Sequence, residues 1–174
     1  MNAISLTVWP LTKERFAAFG DVVETDGADH FAINDGMAER YHDLATVDVD
    51  AEGGRPLVNV FRGQPWTFPI AIEMLERHPL GSQTFMPLTR LPFLVVVADS
   101  GEGDAPGMVH AFLSEHGQGV SYHRNVWHHP LLALEATADF LVIDRGGPGD
   151  NLQEHRFEQD AGYIIDATSI VPRG

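Results

Sequence analysis

Residues 91–98 read LPFLVVVA, a nearly unbroken apolar run that gives way at once to DSGEGDAPG at 99–107. Eight residues fall far short of the ~20 that a membrane helix needs. The β-branched and aromatic content of Phe93–Val97 suits a buried strand, and the polar, glycine-rich stretch behind it reads as an exposed turn. This alternation of short apolar run and breaker sets the expectation for the fold.

The same pattern continues outward in both directions. Leu57–Phe61 and Phe140–Ile143 are strand-like runs, Val109–Leu113 is a shorter and more polar one, and GGPGD at 146–150 is a second exposed turn. Seventeen glycines and eleven prolines divide the chain into such pieces, as in a sandwich or barrel. Helices do not interleave regularly with the strands, which argues against a doubly wound α/β fold. One helix is expected early: Thr12 can cap it, Leu11 and Phe16 have the spacing of a hydrophobic staple, and Gly20 sits where it would stop. No repeat and no long linker interrupts the chain, so residues 1–174 are expected to form a single domain. The closing SIVPRG looks like a protease-cleavage scar, and 171–174 is expected to be a tail.

With 174 residues, 44% of them hydrophobic, the chain can bury somewhat over ~65% of its unfolded surface. Charged residues make up only 21%, which excludes intrinsic disorder. A net charge of −14 with no basic cluster repels phosphate backbones and excludes nucleic acid as a partner. The absence of cysteine removes disulfides, thiolate metal sites and cysteine nucleophiles together. MNAISLTVWPLTKE lacks the basic start and apolar core of a secretory signal, so a cytoplasmic protein without a membrane partner is expected. No GxSxG, GxGxxG, HExxH or phosphate-cradling glycine loop is present, and serine hydrolysis, nucleotide binding and zincin proteolysis lack support.

Two polar clusters stand out. FPIAIEMLERHP at 68–79 fits a short helix through Ile72, Leu75 and Glu76, and it also fits strict alternation. On the strand reading Phe68, Ile70, Ile72, Met74, Glu76 and His78 share one face, so an acid and an imidazole follow four core side chains. Gln83 comes next, across a turn with Pro79 and Gly81. The second cluster, GVSYHRNVWHHPL at 119–131, holds three of the nine histidines, His123, His128 and His129, beside Tyr122, Arg124 and Trp127. Imidazoles suit proton transfer near neutral pH and divalent metals, and Glu76, His78, Gln83 and a distant histidine would form an oxygen/nitrogen set. His128 and His129 point to opposite sides of a strand, so at most one faces the interior. A hydrogen-bonded turn and a satisfied polar rim are the bland readings of these clusters. Arg40, in INDGMAERYHDLA at 33–45, with Arg62, Arg124 and Arg145, are candidate forks for an anionic substrate. Pairing with the many carboxylates accounts for most of them, leaving one or two for function.

ERYHDLA, ERHPLGSQTFMPL, GVSYHRNVWHHPL and FLVIDRGG, in this order, resemble the bacterial ureidoglycolate lyase family of allantoin catabolism, from about the first helix to Gly147. The resemblance implies a cupin-like antiparallel β-barrel (a double-stranded β-helix) with a few short helices. It also implies a homodimer, with a strand such as 93–97 a candidate to pair across it, and cleavage of (S)-ureidoglycolate to glyoxylate and urea. Residues 76–83 fall at the first cupin metal motif and 119–129 at the second. This chain departs from the usual pattern: Glu76 stands for the first histidine and Gln83 for the glutamate, while His78 is kept and His128 or His129 supplies the last position. The resemblance implies nickel as the divalent metal and no organic cofactor, while the altered ligand set also fits a metal-free site built from the same groups. Within this frame His78, Glu76, Tyr122, His123 and His128 are expected to be catalytic, and Arg40, Arg124, Gln83 and Trp127 to bind substrate. A non-catalytic small-acid-binding cupin, a metal-dependent oxygenase and an amidohydrolase releasing ammonia are the alternatives.

Overall fold

The computed structural model describes residues 3–158 and 162–173; Met1 and Gly174, the ends weighed above, lie outside them. Two sheets make the barrel. The first runs, neighbour by neighbour, through Gln153–Arg156, Met74–Arg77, Trp127–His128, Phe93–Ser100, Pro106–Leu113 and Val8–Pro10, with Leu132–Ala133 added against Phe93–Ser100. The second runs through Gly20–Val23, Gly119–Tyr122, Gln83–Pro87, Ala138–Gly146 and Arg55–Gly63. From Met74 onward the chain shuttles between them: 74–77 in the first, 83–87 in the second, 93–113 in the first, 119–122 in the second, 127–128 in the first and 138–146 in the second. That winding, with antiparallel pairing throughout these strands, is the double-stranded β-helix expected of a cupin-like barrel.

The strand Phe93–Ser100 explains its own composition. Phe93, Val95 and Val97 point between the sheets, into a core with Phe85, Val120, Phe140 and Val142. Leu94, Val96 and Ala98 point to the opposite side, where they meet Ile70, Ile72, Leu75, Trp127 and Ile165. A small third sheet of Ile4–Ser5, Tyr163–Ile165 and Ile70–Ile72 supplies part of that outer cover. A strand buried on both faces carries continuous rather than alternating apolar residues. Being central, it has no free edge, so the expectation that 93–97 pairs across an interface does not hold. One edge of the second sheet is Arg55–Gly63, with Val58 and Val60 largely exposed.

Phe140 is 1% exposed and meets Phe93 edge to face at 5.1 Å. Phe140→Ala is therefore expected to lower unfolding free energy by about 3–5 kcal/mol, read from denaturant curves. A loss under ~1 kcal/mol would show that this interior does not pack as described.

The early helix is present but shorter than the glycine suggests. It spans Lys13–Phe16, with the Thr12 hydroxyl accepting from the Arg15 amide. Gly20 instead opens a strand, where a Cβ would come within 2.0 Å of the Ser121 carbonyl oxygen. Space, not helix termination, fixes glycine there. At the other end Ile170 bridges to Val8, the Val171 amide bonds the Val8 carbonyl, and Arg173 lies 3.5 Å from Glu115. Among the described residues no helix is long and apolar enough to cross a membrane.

Candidate active site

The segment 68–79 is extended, as Ile70–Ile72 and Met74–Arg77, but its alternation slips between the two pieces. Ile70, Ile72 and Leu75 all join the outer cluster, so the phase changes at Glu73. Four apolar side chains thus do not precede the acid on one face: Ile70 and Ile72 pack outward while Glu76 and His78 turn to the barrel mouth. His128 sits directly across the strand pair from Glu76. Its Nε2 lies 3.6 Å from Glu76 Oε1, and His78 Nε2 lies 3.9 Å from the same oxygen. One ligand atom from each of the three falls within 4.8 Å of the others.

The tautomers follow from the outer hydrogen bonds. His78 Nδ1 is 2.8 Å from the Asn151 carbonyl and His128 Nδ1 is 2.9 Å from the Val126 carbonyl. Each Nδ1–H therefore donates, leaving Nε2 with a lone pair. Both Nε2 atoms are buried without a partner, and so is Gln83 Oε1, which faces His78. Burial, and then the neighbouring His128, hold the His78 imidazole below its ordinary pKa. Burial alone would push the Glu76 carboxyl up, but a proton on His128, or positive charge at His128, His78 and His129, outweighs burial and holds the group below its ordinary value. With both imidazoles neutral, four acceptors meet with no donor between them. Such a set is unfavourable unless a cation or a donating ligand completes it. Two imidazoles and two oxygens, already oriented by carbonyls behind them, fit a borderline divalent ion.

Beside the cluster opens a cavity of about 930 Å³, lined by Glu76 and Gln83 and walled by Phe61, Trp66 and Leu131. Tyr122 stacks face to face on His128, centroids 4.2 Å apart and 11° from parallel, and burial pushes its phenol pKa up.

The sequence model of the ureidoglycolate lyase family matches residues 3–164. This chain belongs to the ureidoglycolate lyase family. It is 52% identical over 165 residues to a ureidoglycolate lyase of Pseudomonas paraeruginosa, covering 95% of this chain and 98% of the relative. It is 54% identical over 167 residues to one of Burkholderia mallei, covering 96% and 98%. Among solved structures, RmlC from Streptococcus suis in complex with dTDP-D-xylose aligns over 85% of this chain and 74% of that one, with 14% identity and a TM-score of 0.46. A dTDP sugar isomerase from Desulfovibrio desulfuricans aligns over 82% and 85%, with 17% identity and a TM-score of 0.45.

In this member of the ureidoglycolate lyase family, not every expected residue reaches the mouth. Of the adjacent pair, His128 joins the cluster. His129 is buried too, its Nδ1 donating to the Pro130 carbonyl and its ring edge-on to Trp66. Trp127 points the other way, into the outer cluster, with the Arg77 guanidinium 4.5 Å above its ring. His123 is at the surface, 3.8 Å from Asp21. Arg124 is held by the Asp48 carboxylate through two nitrogens. Arg40 lies on the exposed hairpin of His30–Ile33 and Ala38–Tyr41, over Phe31. Arg145 donates to the Ala51 and Pro148 carbonyls. Of the four arginines only Arg62 lines the large cavity, and Asp139 already grips it.

Two polar residues were missed. Asn59 shares a strand face with Leu57 and Phe61, and Asp144 shares one with Phe140 and Val142. Period-two alternation from those neighbours was the signal that could have found both. Asn59 Nδ2 donates to Asp144 Oδ1 at 2.9 Å.

Proposed function

We propose that this protein cleaves (S)-ureidoglycolate to glyoxylate and urea, at the barrel mouth where Glu76, His78, Gln83 and His128 converge. The observation that carries the reading is the convergence of the Glu76 carboxylate with the buried, partnerless Nε2 atoms of His78 and His128 in a ureidoglycolate lyase family member.

Ureidoglycolate bears a hydroxyl, a ureido nitrogen and a carboxylate on one carbon. Elimination needs the hydroxyl proton removed as the C–N bond breaks and a proton delivered to the departing nitrogen; no water is consumed. Glu76, held as carboxylate and lining both cluster and cavity, is placed to take the first proton and to return it to nitrogen. A positioned acid or base contributes typically ~10²–10⁴-fold. Tyr122, kept weakly acidic by burial, stacks on His128 and holds that ring in place. The surface position of His123 leaves the proton balance to Glu76. Arg62 is the cavity's own arginine; with its Nε and Nη2 on Asp139, it has Nη1 left to offer the substrate carboxylate in place of Arg124 and Arg40. His78, His128, Gln83 and Glu76 would hold a divalent ion, with nickel the one the resemblance names. Such an ion would supply Lewis acidity that lowers the pKa of the substrate hydroxyl.

We further take the chain as one domain, 1–174, acting as a homodimer in the cytoplasm during allantoin and purine nitrogen breakdown. The test is a product assay on racemic ureidoglycolate against a no-enzyme control. Urea matching glyoxylate with no ammonia is the expected result. Ammonia would make the protein an amidohydrolase, oxygen uptake with added iron would make it an oxygenase, and no rate above background would leave a binding protein.

A further inference from the structure

A glutamine can present a carbonyl or an NH₂ to the same neighbour, and the cluster works only with one of them. An NH₂ turned toward His78 would donate to its Nε2 lone pair and cap the imidazole. Gln83 is 6% exposed, so solvent does not settle the choice. Its neighbour on the next strand does. Val142 lies opposite Phe85 and Ile143 opposite Thr84; one more step along that register brings Asp144 beside Gln83. Both line a smaller cavity of about 290 Å³ together with His78 and Ser82.

The Asp144 carboxylate is half-buried, with Asn59 Nδ2 donating to it at 2.9 Å and the Gln83 amide beside it; burial raises its pKa, and the Gln83 amide, the His78 ring and Asn59 act against that rise. An ionised carboxylate only accepts, so the end of the Gln83 amide that faces it must be the NH₂. The carbonyl oxygen is then left for the opposite side; Oε1 is buried and partnerless, and His78 lines the same cavity as Gln83 and Asp144. Asn59, reaching across from the neighbouring edge strand, holds Asp144 in turn.

We propose that Asp144, backed by Asn59, is a positioning residue that turns the Gln83 amide so that its carbonyl oxygen completes the acceptor cluster. This rests on the reading of that cluster as the active site. Asp144→Asn keeps the shape but lets the new amide present a carbonyl to Gln83, so the fixed orientation is lost.

The expected result is a 10–100-fold fall in kcat with KM changed less, and a 10–100-fold weaker uptake of Ni²⁺ alone by calorimetry. Gln83→Glu by itself sets two carboxylates face to face and is expected to lose as well. The double variant Gln83→Glu/Asp144→Asn, with donor and acceptor exchanged, is expected to regain both quantities relative to either single change. A purely structural role for Asp144 would give no such recovery. If Asp144→Asn fails to fold, Asn59→Ala takes its place, with a loss of several-fold in the same readouts. Wild-type turnover and Ni²⁺ affinity in the single variant, or a double variant no better than the singles, would overturn the proposal. A wild type that releases no urea would sink the reaction instead, and Ni²⁺ affinity would still judge the glutamine. A wild type that takes up no Ni²⁺ leaves the kcat series to decide.

Discussion

Glu76→Ala and His78→Ala are each expected to lower turnover by ~10²–10⁴-fold while leaving a folded protein. The size follows from what Glu76 alone can do: in the cluster of Glu76, His78 and His128 it is the one carboxylate, so removing it leaves the hydroxyl proton without an acceptor. His78 contributes one of two lone-pair nitrogens, already oriented by the Asn151 carbonyl. The fold should survive because neither side chain belongs to either apolar cluster. Relieving acceptor crowding offsets part of the packing that is lost. Near-normal turnover in both variants, with circular dichroism unchanged, would refute the assignment of the site.

Removing divalent metal is expected to abolish urea release, and adding Ni²⁺ back is expected to restore it. The physical reason is again the set of acceptors with no donor. An ion binds that arrangement in the folded protein and finds no equivalent in the unfolded chain. At an ion concentration of 100 Kd this stabilises the fold by about 2.7 kcal/mol, which for a domain of this size is a rise in Tm of roughly 5–10 °C. The same shift should vanish in His128→Ala, whose Nε2 is one of the orphaned atoms. Full activity after exhaustive chelation, together with an unchanged Tm on adding Ni²⁺, would return the chemistry to the side chains alone.

Much of the site was legible because it lies on strands. Glu76 and His78 are two residues apart, and extended chain puts such residues on one face whatever else happens. The helix alternative for 68–79 falls to sheet pairing, which no local pattern announces. The slip at Glu73 was equally hidden: it arises because Ile70–Ile72 pairs with Tyr163–Ile165 while Met74–Arg77 pairs with Gln153–Arg156 and His128. Tyr122 and Trp127 looked alike as pocket aromatics. One stacks on His128 inside and the other backs the barrel from outside, a distinction set by the turn between their strands. The arginines misled for a related reason. In a chain with 25 acidic side chains, a guanidinium beside aromatics in sequence more often meets a carboxylate in space, as Arg124 meets Asp48 and Arg62 meets Asp139.

By itself the sequence determined the class of fold, since short apolar runs cut by glycine and proline can bury themselves only as packed sheets. It also determined the family, and the spacing that holds Glu76 and His78 together. Tertiary structure alone decided that His128 rather than His129 joins Glu76 and His78, and that Asp144 comes to lie beside Gln83. Those choices depend on register between strands more than forty residues apart. Register comes from the summed packing of both barrel faces, which no single stretch of the chain encodes.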